Sequence, residues 1–178
     1  MEAIQELKNN LEEKGILTKT KILERDEYLN SSGKNNTNLY FVVKGSLRVF
    51  FVNDFEEYIL YFGYKRSLIT TLDSFFSEQA SQLKIQALKK TTVHYISKRE
   101  FMEFITDNPE NLHLWHKILQ ELILLQTERE IDLLISSPIK RYKRVLKRRP
   151  QLFQEIPHKY IASYLRMAPE TLSRVKKY

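Results

Sequence analysis

The sequence contains no cysteine. Disulfides, thiol nucleophiles, iron–sulfur clusters and Cys-ligated zinc are thereby excluded together. Glycine is scarce, four in 178 residues, so most turns must be made by Asn, Asp, Ser or Lys. No stretch approaches the ~18 consecutive apolar residues of a spanning helix, and the acidic, periodic first fourteen residues do not read as a secretory signal. A cytoplasmic location with no membrane partner is the expectation. Also missing are a P-loop, a G-x-S-x-G elbow, a nucleophile–base arrangement and paired carboxylates. An enzyme is not expected.

Acidic residues are nearly absent from one end. Residues 138–178 hold twelve Lys and Arg against two Asp and Glu, whereas residues 1–137 hold seventeen against twenty. The net charge of +7 therefore resides entirely in the last 41 residues. Such asymmetry points to a nucleic-acid or acidic-surface partner for the basic end, although a solvated basic helix is its plain alternative.

Ile4, Leu7 and Leu11 recur at helical spacing, with Gly15 as a stop signal. From Leu39 the pattern turns to short β-branched and aromatic runs at 39–43, 47–52 and 55–62, then 67–72, 83–88 and 92–96. Strands at near-regular spacing with no helices between them suggest an antiparallel sandwich or barrel, not a parallel sheet. Ser97 and Glu100 have capping-box spacing and open a short helix over 98–106. Pro109 starts a long helix reaching about residue 135, with apolar residues on more than one face. Such a helix needs two partners; its own β-domain and the same helix of a second subunit are the favoured pair, and burial wholly within one subunit is the alternative. Its His113 and His116, with Glu110 at Glu-x-x-His spacing, lack the further ligands of a metal site and read as surface or interface residues. No metal site is expected, and His94 reads as structural.

After Pro138 come a basic helix, a break at Pro150 and two short helices separated by a very tight connection. This is the form of a helix-turn-helix. Ala162 is small where the helices approach, and Ile161, Leu165, Leu172 and Val175 supply a shared core. The second helix presents Glu170, Thr171 and Arg174 outward, where arginine can pair with guanine and glutamate can accept from the cytosine amino group. Ser173, Lys176 and Lys177, with Lys159 and Arg166, are placed for phosphates. Arg141, Arg144, Lys147, Arg148 and Arg149 are further phosphate candidates. Arg166 stands where the turn usually takes glycine.

Ile161-Ala162-Ser163-Tyr164-Leu165 followed by Pro169-Glu170-Thr171-Leu172-Ser173-Arg174-Val175-Lys176-Lys177 resembles the DNA-reading unit of the Crp/Fnr family of bacterial transcription regulators. Upstream, Leu39–Val49 looks like the hairpin of the family's cyclic-nucleotide-binding-type jelly roll, and residues 96–101 look like the entry to its post-barrel helix. The resemblance implies an α+β chain: a jelly-roll sensor over 1–108, a dimerisation helix and hinge over 109–137, and an all-α helix-turn-helix domain over 138–178. It implies a homodimer through residues 109–135 that binds double-stranded DNA, makes base contacts through Glu170 and Arg174, and has RNA polymerase as a further partner open to test. The family often carries arginine where this chain has Pro169. Cyclic-nucleotide binders of this fold use a Gly-Glu pair and an Arg-Ser/Thr-Ala run, in which arginine and backbone amides hold the cyclic phosphate. Here Glu78 lacks its glycine and Ser81-Gln82-Leu83 stands in place of the second run. Cyclic AMP is therefore not the expected effector, and no cofactor is assigned. Phe75, Phe76, Glu78, Ser81 and Gln82 are the candidate pocket for an unknown small molecule. The alternative reading is a ligand-binding sensor module, for a cyclic nucleotide or another small molecule, with weak or degenerate DNA binding.

Overall fold

A computed structural model describes residues 2–177. Helix α1 (Glu2–Glu13) buries Ala3, Ile4, Leu7 and Leu11 on one stripe, and Gly15 ends it at φ +66°. Eight strands follow: β1 (Lys19–Leu23), β2 (Tyr28–Asn30), β3 (Leu39–Lys44), β4 (Ser46–Asn53), β5 (Glu56–Tyr64), β6 (Leu68–Ile69), β7 (Lys84–Ala87) and β8 (Thr91–Ile96), with α2 (Leu72–Ser77) between β6 and β7. They form two antiparallel four-stranded sheets of order β1-β8-β3-β6 and β2-β7-β4-β5. The antiparallel sandwich, one of the two forms expected from the strand spacing, is present.

Alternating residues of the two sheets meet between the layers. Leu47, Val49, Ile85 and Ala87 face Tyr40, Val42, Ile69 and Val93. The β3–β4 turn depends on Gly45, at φ +94°, where a Cβ would come within 2.6 Å of the Lys90 carbonyl. No other residue fits so close an approach of two backbones.

Helices α3 (Lys98–Asp107) and α4 (Pro109–Leu134) share a second core with α1, in which Phe75, Phe101 and Trp115 pack edge to face. The capping box of α3 is formed: the Ser97 hydroxyl accepts from the Glu100 amide, and the Glu100 carboxylate accepts from the Ser97 amide. Lys19 of the edge strand β1 reaches the same carboxylate at 2.8 Å. The Lys19 contact and the Ser97 hydrogen bonds pull the Glu100 pKa down to about 2. A depressed carboxylate stabilises the fold above its unfolded pKa and loses that contribution as pH falls toward the folded value. Stability of the wild type is thus expected to decline between about pH 4.5 and 2. Urea midpoints measured across this window should fall less steeply for Glu100→Gln.

The last four helices are α5 (Pro138–Arg148), α6 (Pro150–Glu155), α7 (His158–Tyr164) and α8 (Pro169–Val175). Their core, with Tyr142, Val145, Leu152, Ile161, Leu165 and Leu172, is continuous with Phe50, Ile59, Phe62 and Tyr64 of β4 and β5. The helical head is therefore packed on the outer face of one sheet. Pro150, read from the sequence as a break, occupies the first turn of α6. There its missing N–H costs nothing.

Candidate nucleic-acid interface

Helices α7 and α8 form the helix-turn-helix. Ala162 is 1% exposed where they meet, and the Met167 amide donates to its carbonyl at 3.0 Å across the turn. Arg166 adopts φ +53°, the left-handed conformation that the turn demands and that glycine ordinarily supplies. Burial of Leu172 and Val175 rotates Glu170, Ser173, Arg174 and Lys177 outward. These four, with Pro169, line a shallow concavity, and Thr171 is half-buried beside them. Lys159 and Lys176 flank the face with His158, and the Lys176 ammonium lies 2.9 Å from a His158 ring nitrogen. Six of the eight sequence-proposed contact residues, Lys159, Glu170, Ser173, Arg174, Lys176 and Lys177, are thus exposed on α7, on α8 and in the turn that follows it, with Thr171 partly so. Arg166 is exposed too, but its guanidinium lies 4.5 Å over the Tyr58 ring of β5. It faces the β-domain.

The basic helix α5 departs from the expectation. Arg141 is buried, donating from Nε and Nη2 to the Ile135 carbonyl at 3.1 and 2.8 Å and from Nη1 to the carbonyls of Leu165 and Arg166. Arg144 and Arg148 both engage Glu128 and Asp132 of α4, and the Asp132 side chain is fully enclosed. Three arginines read as phosphate candidates therefore hold the hinge between α4 and the head. Lys140, Lys143 and Lys147 remain exposed, and Arg149 is half-buried. Glu128 and Asp132, four residues apart on α4, cancel two of the ten surplus charges of the 138–178 segment.

A seam joins head and sheet. Phe62 packs on Tyr164 with ring centroids 5.4 Å apart. The enclosed Arg48 of β4 lies between the rings of Phe50, at 4.0 Å, and Tyr160 of α7, at 4.9 Å. Its guanidinium is fixed in that plane by Glu57 and by Gln86 at 2.9 Å. Lys89 reaches Glu155 at 3.0 Å. Sequence reasoning did not find this seam. The acidic pair at 128 and 132 and the basic pair at 144 and 148 were a readable signal, since each pair lies on one helix face.

The five candidate effector residues lie along α2 and the segment after it, but their side chains do not converge. Phe75 is a core ring against Phe101 and Trp115. Phe76 and Gln82 are exposed. The Glu78 carboxylate is 2.6 Å from the Lys98 ammonium, which holds its pKa below the usual carboxylate range. Ser81 is buried, donating to Asp73 at 2.7 Å while accepting from the Leu83 amide. Residues 73–83 contain no Lys or Arg. Among the described residues no group of three His, Cys, Asp or Glu could hold a metal, and no helix is long and apolar enough to cross a membrane.

A β-sandwich, a long helix and a helix-turn-helix head in this order make up the architecture known as the catabolite-activator-like fold. Solved structures that share it include a CooA mutant from Carboxydothermus hydrogenoformans, with a TM-score of 0.73 at 16% identity over 92% of this chain and 77% of that one. FixK2 from Bradyrhizobium japonicum gives 0.73 at 17% identity over 89% and 82%. The c-di-GMP-responsive regulator CLP of Xanthomonas campestris gives 0.70 at 15% identity over 96% and 90%. These neighbours are Crp/Fnr regulators, and at such identities the likeness is one of fold. No family model and no curated protein matches the chain.

Proposed function

We propose that the chain is a homodimeric, sequence-specific DNA-binding transcription regulator of the Crp/Fnr type. The single observation that carries this reading is the exposed face of Glu170, Ser173 and Arg174 on α8 with Lys177 just beyond it, held outward by Leu172 and Val175 on a basic head. In a major groove, Arg174 pairs with a base edge, Glu170 accepts from a cytosine amino group, and the lysines hold phosphates. The second subunit is supported by α4, where Ile123, Leu124 and Leu134 are 65%, 66% and 84% exposed. A stripe of that kind calls for a partner helix. Two heads then address successive major grooves, roughly 34 Å apart, on a palindromic site.

The sensor does not use the usual cyclic-AMP chemistry. Its cassette offers a serine already bonded to Asp73 where a cation is needed. The test is selection of binding sites from random duplex DNA, followed by titration of the selected site. Glu170→Ala and Arg174→Ala are each expected to lose about 1–3 kcal/mol of specific binding and to leave thermal stability unchanged. Lys177→Ala should weaken all sequences alike and flatten the salt dependence by about one unit per subunit. If selection enriches no sequence, or the two base-reader variants bind the selected site as the wild type does, the head is degenerate and the chain is a ligand-sensing module only.

A further inference from the structure

Arg129 is a cation that the fold encloses without neutralising. It lies on α4, 7% exposed, with its guanidinium carbon 3.7 Å above the Tyr164 ring of α7. Its Nη1 is buried and has no hydrogen-bond partner among the described residues. The neighbouring acid, Asp132, is already held by Arg144 and Arg148. Burial pushes the Arg129 pKa down, and the nearby Arg166 and Arg141 cations press in the same direction against the opposing pull of Asp132. The junction of α4, α5 and the helix-turn-helix thus gathers the buried Arg129 and Arg141 and the partly exposed Arg144 and Arg148 against only Glu128 and Asp132. Arg166, close enough to repel the Arg129 charge, is exposed with its guanidinium over the Tyr58 ring of β5 and has no carboxylate partner among the described residues.

A buried guanidinium with an unmade hydrogen bond is costly, more so than a neutral orphan. The chemistry that satisfies it is an oxyanion, which can accept from a planar fork on one side while the ring of Tyr164 covers the other. We propose that this seam is an anion site, with Arg129 at its floor and Arg166 at its rim receiving a phosphoryl group, either free or carried by a larger effector. The proposal rests on the regulator reading and supplies what the cassette lacks, since residues 73–83 hold no cation. It also gives the anion leverage. Arg129 rides on the stalk helix and Arg166 on the turn of the DNA-reading unit, so a ligand bridging them favours one pose of the head over others.

The experiment is a thermal-unfolding titration of the full chain with potassium phosphate against potassium chloride of matched ionic strength. The wild type should show a saturable rise in Tm with phosphate beyond that with chloride. Arg129→Gln should raise the half-saturating concentration about tenfold or more, the loss of one charge-assisted anchor. Arg166→Ala, which alters an exposed side chain and does not put folding at stake, should weaken the response as well. The double variant Lys176→Ala, Lys177→Ala, on the DNA face, should respond as the wild type does. Adenosine 5′-monophosphate provides a second arm. Saturation at lower concentration than phosphate assigns the phosphoryl group to a larger effector, and equal or weaker response assigns it to the free ion. The proposal is overturned if phosphate acts no differently from chloride, if both arginine variants respond as the wild type does, or if the lysine variant abolishes the effect. No DNA enters the assay, so its failure is separate from failure of the DNA-reading assignment.

Discussion

Removing Arg144 and Arg148 together while leaving Asp132 in place is expected to lower the unfolding free energy by about 3–5 kcal/mol, the cost of a buried charge stripped of its partners. For a chain of this size that is a fall in Tm of about 6–20 °C. The reason is an asymmetry in exposure. The Asp132 side chain is fully enclosed, whereas those of Arg144 and Arg148 retain 36% and 24% of their surface. Deleting the carboxylate leaves two cations that can turn to water or to Glu128. Deleting both cations leaves an anion that can turn to nothing. Asp132→Leu should consequently cost less than the double arginine variant, and adding Asp132→Leu to that variant should restore part of the loss. The four unfolding curves measure the sign of this coupling directly. Equal loss for the acid and for the arginines would mean that the pairs act as ordinary surface bridges, worth less than about 1 kcal/mol.

The same network shows what a sequence can reveal and what it withholds. The uneven charge was legible by counting, and the motif at 158–177 was legible by spacing. The destination of each charge was not. Arg141, Arg144 and Arg148 share a helix and a sign of charge with Lys140, Lys143 and Lys147, yet the first three turn inward and the others remain exposed. The difference is one of helical phase relative to Val145, which is buried, and phase is fixed only once α4 and α7 are placed. The missed elements have equally local causes. Of the five residues of β1 only Leu23 is buried, so this edge strand carries no alternation to read. β2 has three residues, too few for any period. α2 is a six-residue helix lodged among strands, and its Phe75 belongs to the packing beneath α4, not to a pocket. Sequence spacing placed Phe75 and Phe76 side by side, whereas one is 1% and the other 58% exposed.

The head–sheet seam follows from the same limits. Arg48 reads as a polar residue in an alternating strand, yet it is enclosed between two aromatic rings with three hydrogen bonds. A planar cation in that position fits both faces and edges at once, as a lysine could not. Tyr160 and Tyr164, which lie on the first helix of the DNA-reading unit, are thereby spent on the β-domain. What remains free for DNA is the outward face of α8 and the start of α7. The pose of the head is set by polar and aromatic contacts on one side and by the Asp132 network on the other.

Arg141 joins the two. The residue is 8% exposed, and its guanidinium bonds the carbonyl at the end of α4 and two carbonyls in the helix-turn-helix turn. One of these belongs to Arg166, the residue in the left-handed conformation. Arg141→Ala is expected to cost about 2–4 kcal/mol, because bonds from a charged donor are worth roughly 1.5–3 each, do not add in full, and leave enclosed acceptors unpaired when lost. Arg141→Lys should rescue little, since one ammonium cannot span acceptors that the fork reaches from opposite edges. The decisive comparison is between stability and DNA binding. If Arg141 only packs the hinge, specific DNA affinity at a temperature well below Tm stays at the wild-type value. Because it also braces the strained turn that aims α8, affinity for the selected site is expected to fall about tenfold or more in Arg141→Ala. The loss should persist where circular dichroism shows the protein fully folded, and non-specific, salt-sensitive binding should change little, because Arg141 is not among the exposed cations. An unchanged specific affinity in folded Arg141→Ala would confine the residue to a structural part and leave the aim of α8 to its apolar core alone.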